Sequence, residues 1–188
     1  SHNMNANEVI ANRAIEILGG QRGEYHKIHP NDHVNMSQST NDTMPTALRV
    51  AALLSLPALL ASLTGLERAL SRKAVSFDKV MKSGRTHLQD AVPVTLGQEF
   101  GSWAASVKSS IERIKIASEG LKRIGLGGTA TGTGMNTHPG YRKKALSALS
   151  KVCRVKGLKQ APDGFEALNS TGDFAAFSGA MRDAAGEL

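Results

Sequence analysis

Apolar positions along the chain recur mostly at three- and four-residue steps, the signature of amphipathic helices. Residues 5 to 18, "NANEVIANRAIEIL", read as a first helix, with Asn5 or Asn7 as its cap and Gly19-Gly20 as its stop. The stretch 21 to 42 is polar and irregular, with Pro30 among many Asn, Asp and Ser residues. A long helix is predicted from Thr43 to about Arg72, striped by Leu53, Leu56, Leu60, Leu63 and Leu70. Pro45 suits its first turn, whereas Pro57 falls inside it and predicts a kink or a break. A second long helix runs from about Leu96 to Arg123, with Phe100, Trp103, Val107, Ile111, Ile114 and Leu121 as its stripe. The Gly-rich segment "GLGGTATGTGMNTHPG" follows and cannot be a regular helix. A shorter helix spans about Tyr141 to Val152, a turn falls around Ala161-Pro162-Asp163-Gly164, and a last helical stretch runs from about Thr171 to Leu188.

The fold class expected is all-α: a bundle of long helices joined by irregular polar loops. The two long stripes need other helices against them, in the same chain or in another subunit. Both ends are abrupt, "SHNMNANEV" entering a helix at once and "SGAMRDAAGEL" leaving without a stop signal. Residues 1–188 therefore read as one central helical domain of a larger protein, without an N-terminal domain and a C-terminal part, or as a piece that needs oligomer partners.

Composition sharpens this picture. A chain of 188 residues can bury a real core, and 40% hydrophobic residues exclude a disordered chain. Aromatics make up only 4%, so the core is aliphatic, which suits packed helices better than a β-sandwich. The single cysteine, Cys153, excludes a disulfide framework and a Cys-rich metal site, and it suits a reducing, cytoplasmic setting. No uninterrupted apolar run approaches the roughly 20 residues that span a bilayer, and no charged-then-apolar signal peptide is present. A membrane role is not expected.

The net charge of +7 is uneven, with twelve Lys or Arg from Lys108 to Lys159 against Glu112 and Glu119. A basic field attracts anions, either nucleic acid or small carboxylates and phosphates. No basic-aromatic interleaving, zinc-finger spacing or RNP-like motif supports nucleic acid. A non-enzymatic helical oligomerisation or basic nucleic-acid-binding module stays as the alternative from a different class; steep salt dependence of binding to DNA or RNA would favour it.

Three polar clusters carry the candidate chemistry. In "HPNDHVNMSQSTND", residues 29 to 42, the histidines lack a Cys or Glu to complete a tetrahedral metal set, and Pro30 breaks any helical register, so no metal is expected. Ser39-Thr40-Asn41 can simply cap the helix that starts there, or present hydroxyls and amides to a carboxylate. In "SGRTHLQDAVPVTLGQEF", residues 83 to 100, the His87 imidazole can donate to or accept from a ligand and Thr86 adds a neutral donor. Asp90 can orient His87 or pair with Arg85, and a satisfied polar turn explains the stretch equally well. Asn3, Asn5 and Asn7 form the third cluster and can be no more than caps. The Gly-rich segment is neither a dinucleotide fingerprint, since Ala130 stands where the third glycine belongs, nor a P-loop, since no Lys-Ser/Thr follows Gly132. No cluster holds a complete nucleophile-base set.

Taken together, "NMNANEVIANRA", "HPNDHVNMSQSTND", "GRTHLQDAVPVTLGQEF" and "GGTATGTGMNTHP" resemble the fumarase/aspartase superfamily, in order and across nearly the whole chain. "NMNANEVI", "MSQSTND" and "RTHLQDA" look like aspartases, whereas the Gly-rich segment followed by "FEAL" is close to what fumarases show. The resemblance implies a central helical domain in a homotetramer whose active sites combine segments of three subunits. It implies elimination on a small dicarboxylate, aspartate first and malate as the alternative, with no organic cofactor because the carboxylate itself stores the charge. By resemblance, Ser39 and Thr40 hold the reacting carboxylate, Asn41 and His87 the amino group that leaves, and Thr86 the other carboxylate. Thr86 and His87 are thus the expected catalytic pair, and His29, Asn31 and Asp32 match a second carboxylate site. The family's later motif, G-S-S-x-M-P-x-K-x-N-P, carries its base and is not among these residues, so the 188 residues alone are expected to have little or no activity.

Overall fold

The computed structural model describes residues 2–188. Helix α1 spans His2–Ile17, α2 Thr40–Ser76, α3 Leu96–Leu121, α4 Tyr141–Cys153, α5 Gly164–Asn169 and α6 Gly172–Glu187. Strands β1 (Met81–Thr86) and β2 (Gln89–Thr95) form an antiparallel hairpin, and the two-residue strands β3 (Arg123–Ile124) and β4 (Lys159–Gln160) pair in parallel. A short π-helical turn, Pro30–Val34, precedes α2. Helices dominate, as the periodicity requires.

The chain divides into two compact units. The first comprises Ser1–Leu54 and Leu121–Thr171. Its α1 buries Asn7, Ala11 and Ile15, a four-residue rhythm that faces the π-helical turn. Asn7 donates from Nδ2 to Asn35 Oδ1 at 2.8 Å, which satisfies a buried amide. The first turns of α2 bury Asp42, Thr46, Arg49, Val50 and Leu53 along one face. Leu121, Ile124, Ala161 and Ala167 complete this core.

The second unit comprises Ser55–Gly120 and Gly172–Leu188. Leu63, Ala104, Val107, Ile111, Ile114, Phe177 and Ala184 form its core. Phe100 stacks edge-on with Phe77 and with Trp103, at centroid distances of 5.3 and 4.9 Å. The α3 stripe expected from the sequence is therefore core at Val107, Ile111 and Ile114, whereas Trp103 stays half open at 49%.

Three expectations need correction. Pro57 neither ends nor divides α2, which continues as one helix to Ser76. The loss of one backbone donor is carried by the intact turns on either side, because helix formation is cooperative. The polar stretch before α3 is not an irregular loop but the β1–β2 hairpin. Finally, α2 is by length and composition apolar enough to cross a membrane, although interrupted by polar residues. Soluble proteins carry such helices in their cores, although Leu48 and Leu54 are here each more than half exposed.

Candidate functional site

The first turn of α2 starts from Ser39-Thr40-Asn41-Asp42, which forms a capping box. Ser39 Oγ accepts from the Asn41 amide at 3.2 Å, and Asp42 Oδ1 accepts from the Ser39 amide at 3.0 Å. The cap reading of the sequence is thus correct for Ser39. Thr40 and Asn41, in contrast, are exposed. Thr40 Oγ1 donates to Asn3 Oδ1 at 2.7 Å, so its remaining lone pairs face outward. Asn41 Nδ2 donates to the Ala130 carbonyl at 2.8 Å, which leaves Oδ1 and one N–H for other partners.

Asn41 therefore touches the Gly-rich segment, and the two together line part of a half-open pocket of about 580 Å³. Thr40, Asn41, Met44 and Pro45 line it from α2, Ala130 and Thr131 from the Gly-rich loop, and Phe165, Leu168 and Asn169 from α5. Such a pocket, lined by apolar side chains and by the polar Thr40, Asn41, Thr131 and Asn169 in similar measure, suits a small polar ligand. Asn169 spends its Nδ2 on the Phe165 carbonyl at 3.0 Å, leaving its Oδ1 as an acceptor.

The second carboxylate-site candidates have local work. His29 Nδ1 accepts from the amides of Asn31 and Asp32 at 3.2 and 3.1 Å, so His29 caps the π-helical turn. Asp32 Oδ2 lies 3.4 Å from the same nitrogen. The His29 amide in turn donates to His33 Nδ1 at 2.8 Å. The side chains of Asn31 and Asp32 point to solvent, and this strongly hydrogen-bonded turn presents them from a fixed backbone.

Thr86 and His87 belong to the second unit, at the tip of the hairpin. Thr86 pairs with Gln89 across a two-residue turn in which His87 and Leu88 both take left-handed backbone angles, φ 50 and 62. That is the geometry of the tight turns favoured in hairpins, here without the usual Asn or Gly. Both candidates are exposed, and Leu88 is 94% exposed. Asp90 pairs with Arg85 Nε at 3.0 Å rather than orienting His87. Arg85, helped by Ser83, holds the Asp90 carboxyl below its ordinary range.

Thr40 and Asn41 are thus brought to the cavity in one unit, with Ser39 capping the helix beside them, and Thr86 and His87 sit side by side in the other. Sequence reasoning missed the cavity's Thr131, Phe165, Leu168 and Asn169, and also Asp42. Only Asp42 had a legible signal, the Ser-x-x-Asp spacing of a capping box. Among the described residues, no three His, Cys, Asp or Glu side chains stand close enough together to hold a metal ion.

Comparison with known proteins shows the family of the chain. A family model described as Lyase matches residues 1–188. The chain is 50% identical to the aspartate ammonia-lyase of Pseudomonas aeruginosa, over 100% of its own length and 40% of that protein. It is 48% identical to the class II fumarate hydratase of Rhizobium meliloti, over 99% of its length and again 40% of the relative. The crystal structure of a fumarate lyase:delta crystallin from Brucella melitensis superposes with a TM-score of 0.95 at 48% identity, covering 99% of this chain and 40% of that one. The chain therefore spans about 40% of the length of these relatives. With motifs, helical fold and family model in agreement, the chain belongs to the lyase family that contains the aspartate ammonia-lyases and the class II fumarate hydratases.

Proposed function

We propose that the chain is the central part of an ammonia-lyase that converts L-aspartate reversibly to fumarate and ammonia. The observation that carries the reading is the cavity at the first turn of α2, where Thr40 and Asn41 stand in the "QSTND" motif beside the Gly-rich loop. The reaction must remove a weakly acidic proton from Cβ. The resulting enediolate-like carboxylate carries extra negative charge, and preorganised donors that meet this charge supply the largest part of the acceleration. Ser39 and Thr40 take that carboxylate, Asn41 and His87 the departing amino group, and Thr86 the second carboxylate. His29, Asn31 and Asp32 serve an accessory carboxylate site. The active unit is a homotetramer in the cytoplasm, a setting that suits the free Cys153.

The second reading is a class II fumarase, in which the same positions hold malate and its departing water. It is favoured by the nearly equal identity to a fumarate hydratase, 48% against 50%. The test is a side-by-side assay of a full-length subunit containing these residues with aspartate and with malate, following fumarate by its ultraviolet absorbance. Turnover of aspartate far above malate is expected; the reverse makes the chain a fumarase. In the same protein, His87→Ala should lower kcat by about 100-fold or more, the scale of losing one positioned acid-base or charge-stabilising group, with an unchanged tetramer. Near-normal turnover removes His87 from the site.

A further inference from the structure

The buried carboxylate of Asp42 has partners that a helix cap does not need. Its side chain is fully buried, 0% exposed. One oxygen, Oδ1, closes the capping box on the Ser39 amide. The other, Oδ2, accepts from the amides of Gly127 at 2.9 Å and Thr129 at 3.0 Å, 85 and 87 residues further along the chain. A buried carboxylate with fewer partners would be costly, and three N–H donors satisfy it.

The Gly-rich loop is held from its other side as well. Arg142, in the first turn of α4, donates from Nε to the Gly127 carbonyl at 2.9 Å and from a terminal nitrogen to the Gly132 carbonyl at 2.7 Å. Gly127 is therefore gripped at its N–H by a carboxylate and at its C=O by a guanidinium, so the peptide groups on both sides of its α-carbon are fixed. Between these grips Thr129 takes a left-handed φ of 57, an uncommon conformation for a β-branched residue, and Gly127 takes φ 87. A strained loop persists only where its surroundings over-determine it, and such loops cluster at functional sites. This one supplies Ala130 and Thr131 to the cavity wall, and its Ala130 carbonyl anchors the Asn41 amide.

We propose that Asp42 is a positioning residue: with Arg142 it clasps the Gly-rich loop to the first turn of α2 and so fixes Asn41 and the Thr131 wall around the substrate. The inference rests on the lyase reading given above. Asp42 does not face the cavity, so it acts through Asn41 and the loop. Asn41 is assigned to the departing group, whose contacts tighten in the transition state, so a loosened clasp falls on kcat more than on KM.

The test compares three variants of the full-length enzyme. Asp42→Asn keeps the shape but turns an N–H donor toward the loop amides. Arg142→Lys keeps the charge but cannot bridge two carbonyls. Val107→Ala removes core volume in the other unit, destabilises without touching the clasp, and serves as the control. Expected results are faster amide hydrogen exchange confined to residues 127–132 in both clasp variants, and a kcat loss on the order of 10- to 100-fold in Asp42→Asn with KM within about threefold, as for a misplaced catalytic contact. The Val107→Ala enzyme, equally lowered in Tm, keeps both constants within twofold. Unchanged exchange in the loop overturns the clasp, and faster exchange with wild-type kcat overturns its role in positioning. If the unsubstituted enzyme turns over neither aspartate nor malate, the lyase reading fails instead, and loop exchange still decides the clasp.

Discussion

At the residue scale, the site depends on backbone meeting backbone. Gly132 sits at φ 108 with its α-carbon pressed against Gly164 at the start of α5. A Cβ at position 132 would lie 2.5 Å from the Gly164 carbonyl carbon, a distance no side chain tolerates. Neither backbone can yield without moving the cavity, since one carries the Arg142 grip and the other begins the helix that presents Phe165. Gly132→Ala should therefore cost about 3 kcal/mol, left-handed strain and overpacking together, read from the urea midpoint. A loss below about 0.5 kcal/mol, the ordinary surface value, would show that the approach is looser than the structure has it. This pairing illustrates why the site was only half legible in the sequence. Ser39, Thr40 and Asn41 announce themselves because capping chemistry is local. Asp42 was not singled out beside them, and nothing in the chain order tells that Gly127 and Thr129 would return to it.

At the element scale, the long helices were legible because apolar residues recur at helical spacing; in α3 that rhythm images a buried face, whereas of the α2 stripe only Leu53 and Leu63 are buried. The hairpin was not. Its strands, "MKSGRT" and "QDAVPVT", do not alternate, and Pro93 ordinarily argues against a strand. A lone two-stranded ribbon has only edges, so Pro93 can pair with Ser83 without interrupting a central ladder. The turn also lacks Asn-Gly, the one strong local signal for it. The last helix, α6, offers a test of electrostatics at this scale. Its terminal residue Glu187 accepts from the buried Ser110 hydroxyl at 2.5 Å and from Arg113 at 2.6 Å, both on α3. The Ser110 bond, with the Arg113 charge, holds the Glu187 carboxyl below its ordinary range. A depressed folded value means the tie is present above the unfolded glutamate value and is lost as pH falls through the folded one. Relative to the intrinsic rate at each pH, amide exchange in the last turn of α6 should thus stay slow at neutral pH and become faster in acid below the ordinary glutamate range. Glu187→Gln should exchange fast at both pH values. An identical pH profile in the two proteins would mean that this contact does not hold the helix end.

At the scale of the whole molecule, what is left open matters as much as what is packed. Ile10 and Ile17 on α1 are 53% and 71% exposed, Leu48 and Leu54 on α2 are 55% and 54%, and Ile116 on α3 is 73%. Apolar groups scattered singly are normal on a surface, but this many large aliphatic side chains open on three helices call for a partner. Net charge acts in the opposite direction, because +7 on each copy repels another copy. Burial of apolar area is short-ranged and survives salt, whereas the repulsion is screened with a Debye length of about 10 Å at 0.1 M. The purified chain should therefore sediment as an oligomer at micromolar concentration, and its association should strengthen as salt is raised from low to physiological values. Charge-driven contacts would give the opposite trend. Placing charges at the exposed apolar positions of α2, as in Leu48→Glu with Leu54→Glu, should yield a monomer with unchanged helical circular dichroism, since neither side chain is in the core. A double variant that still sediments with the wild-type protein would place the association on another surface, and a wild-type chain that stays monomeric at every salt concentration would remove the need for a partner on these helices.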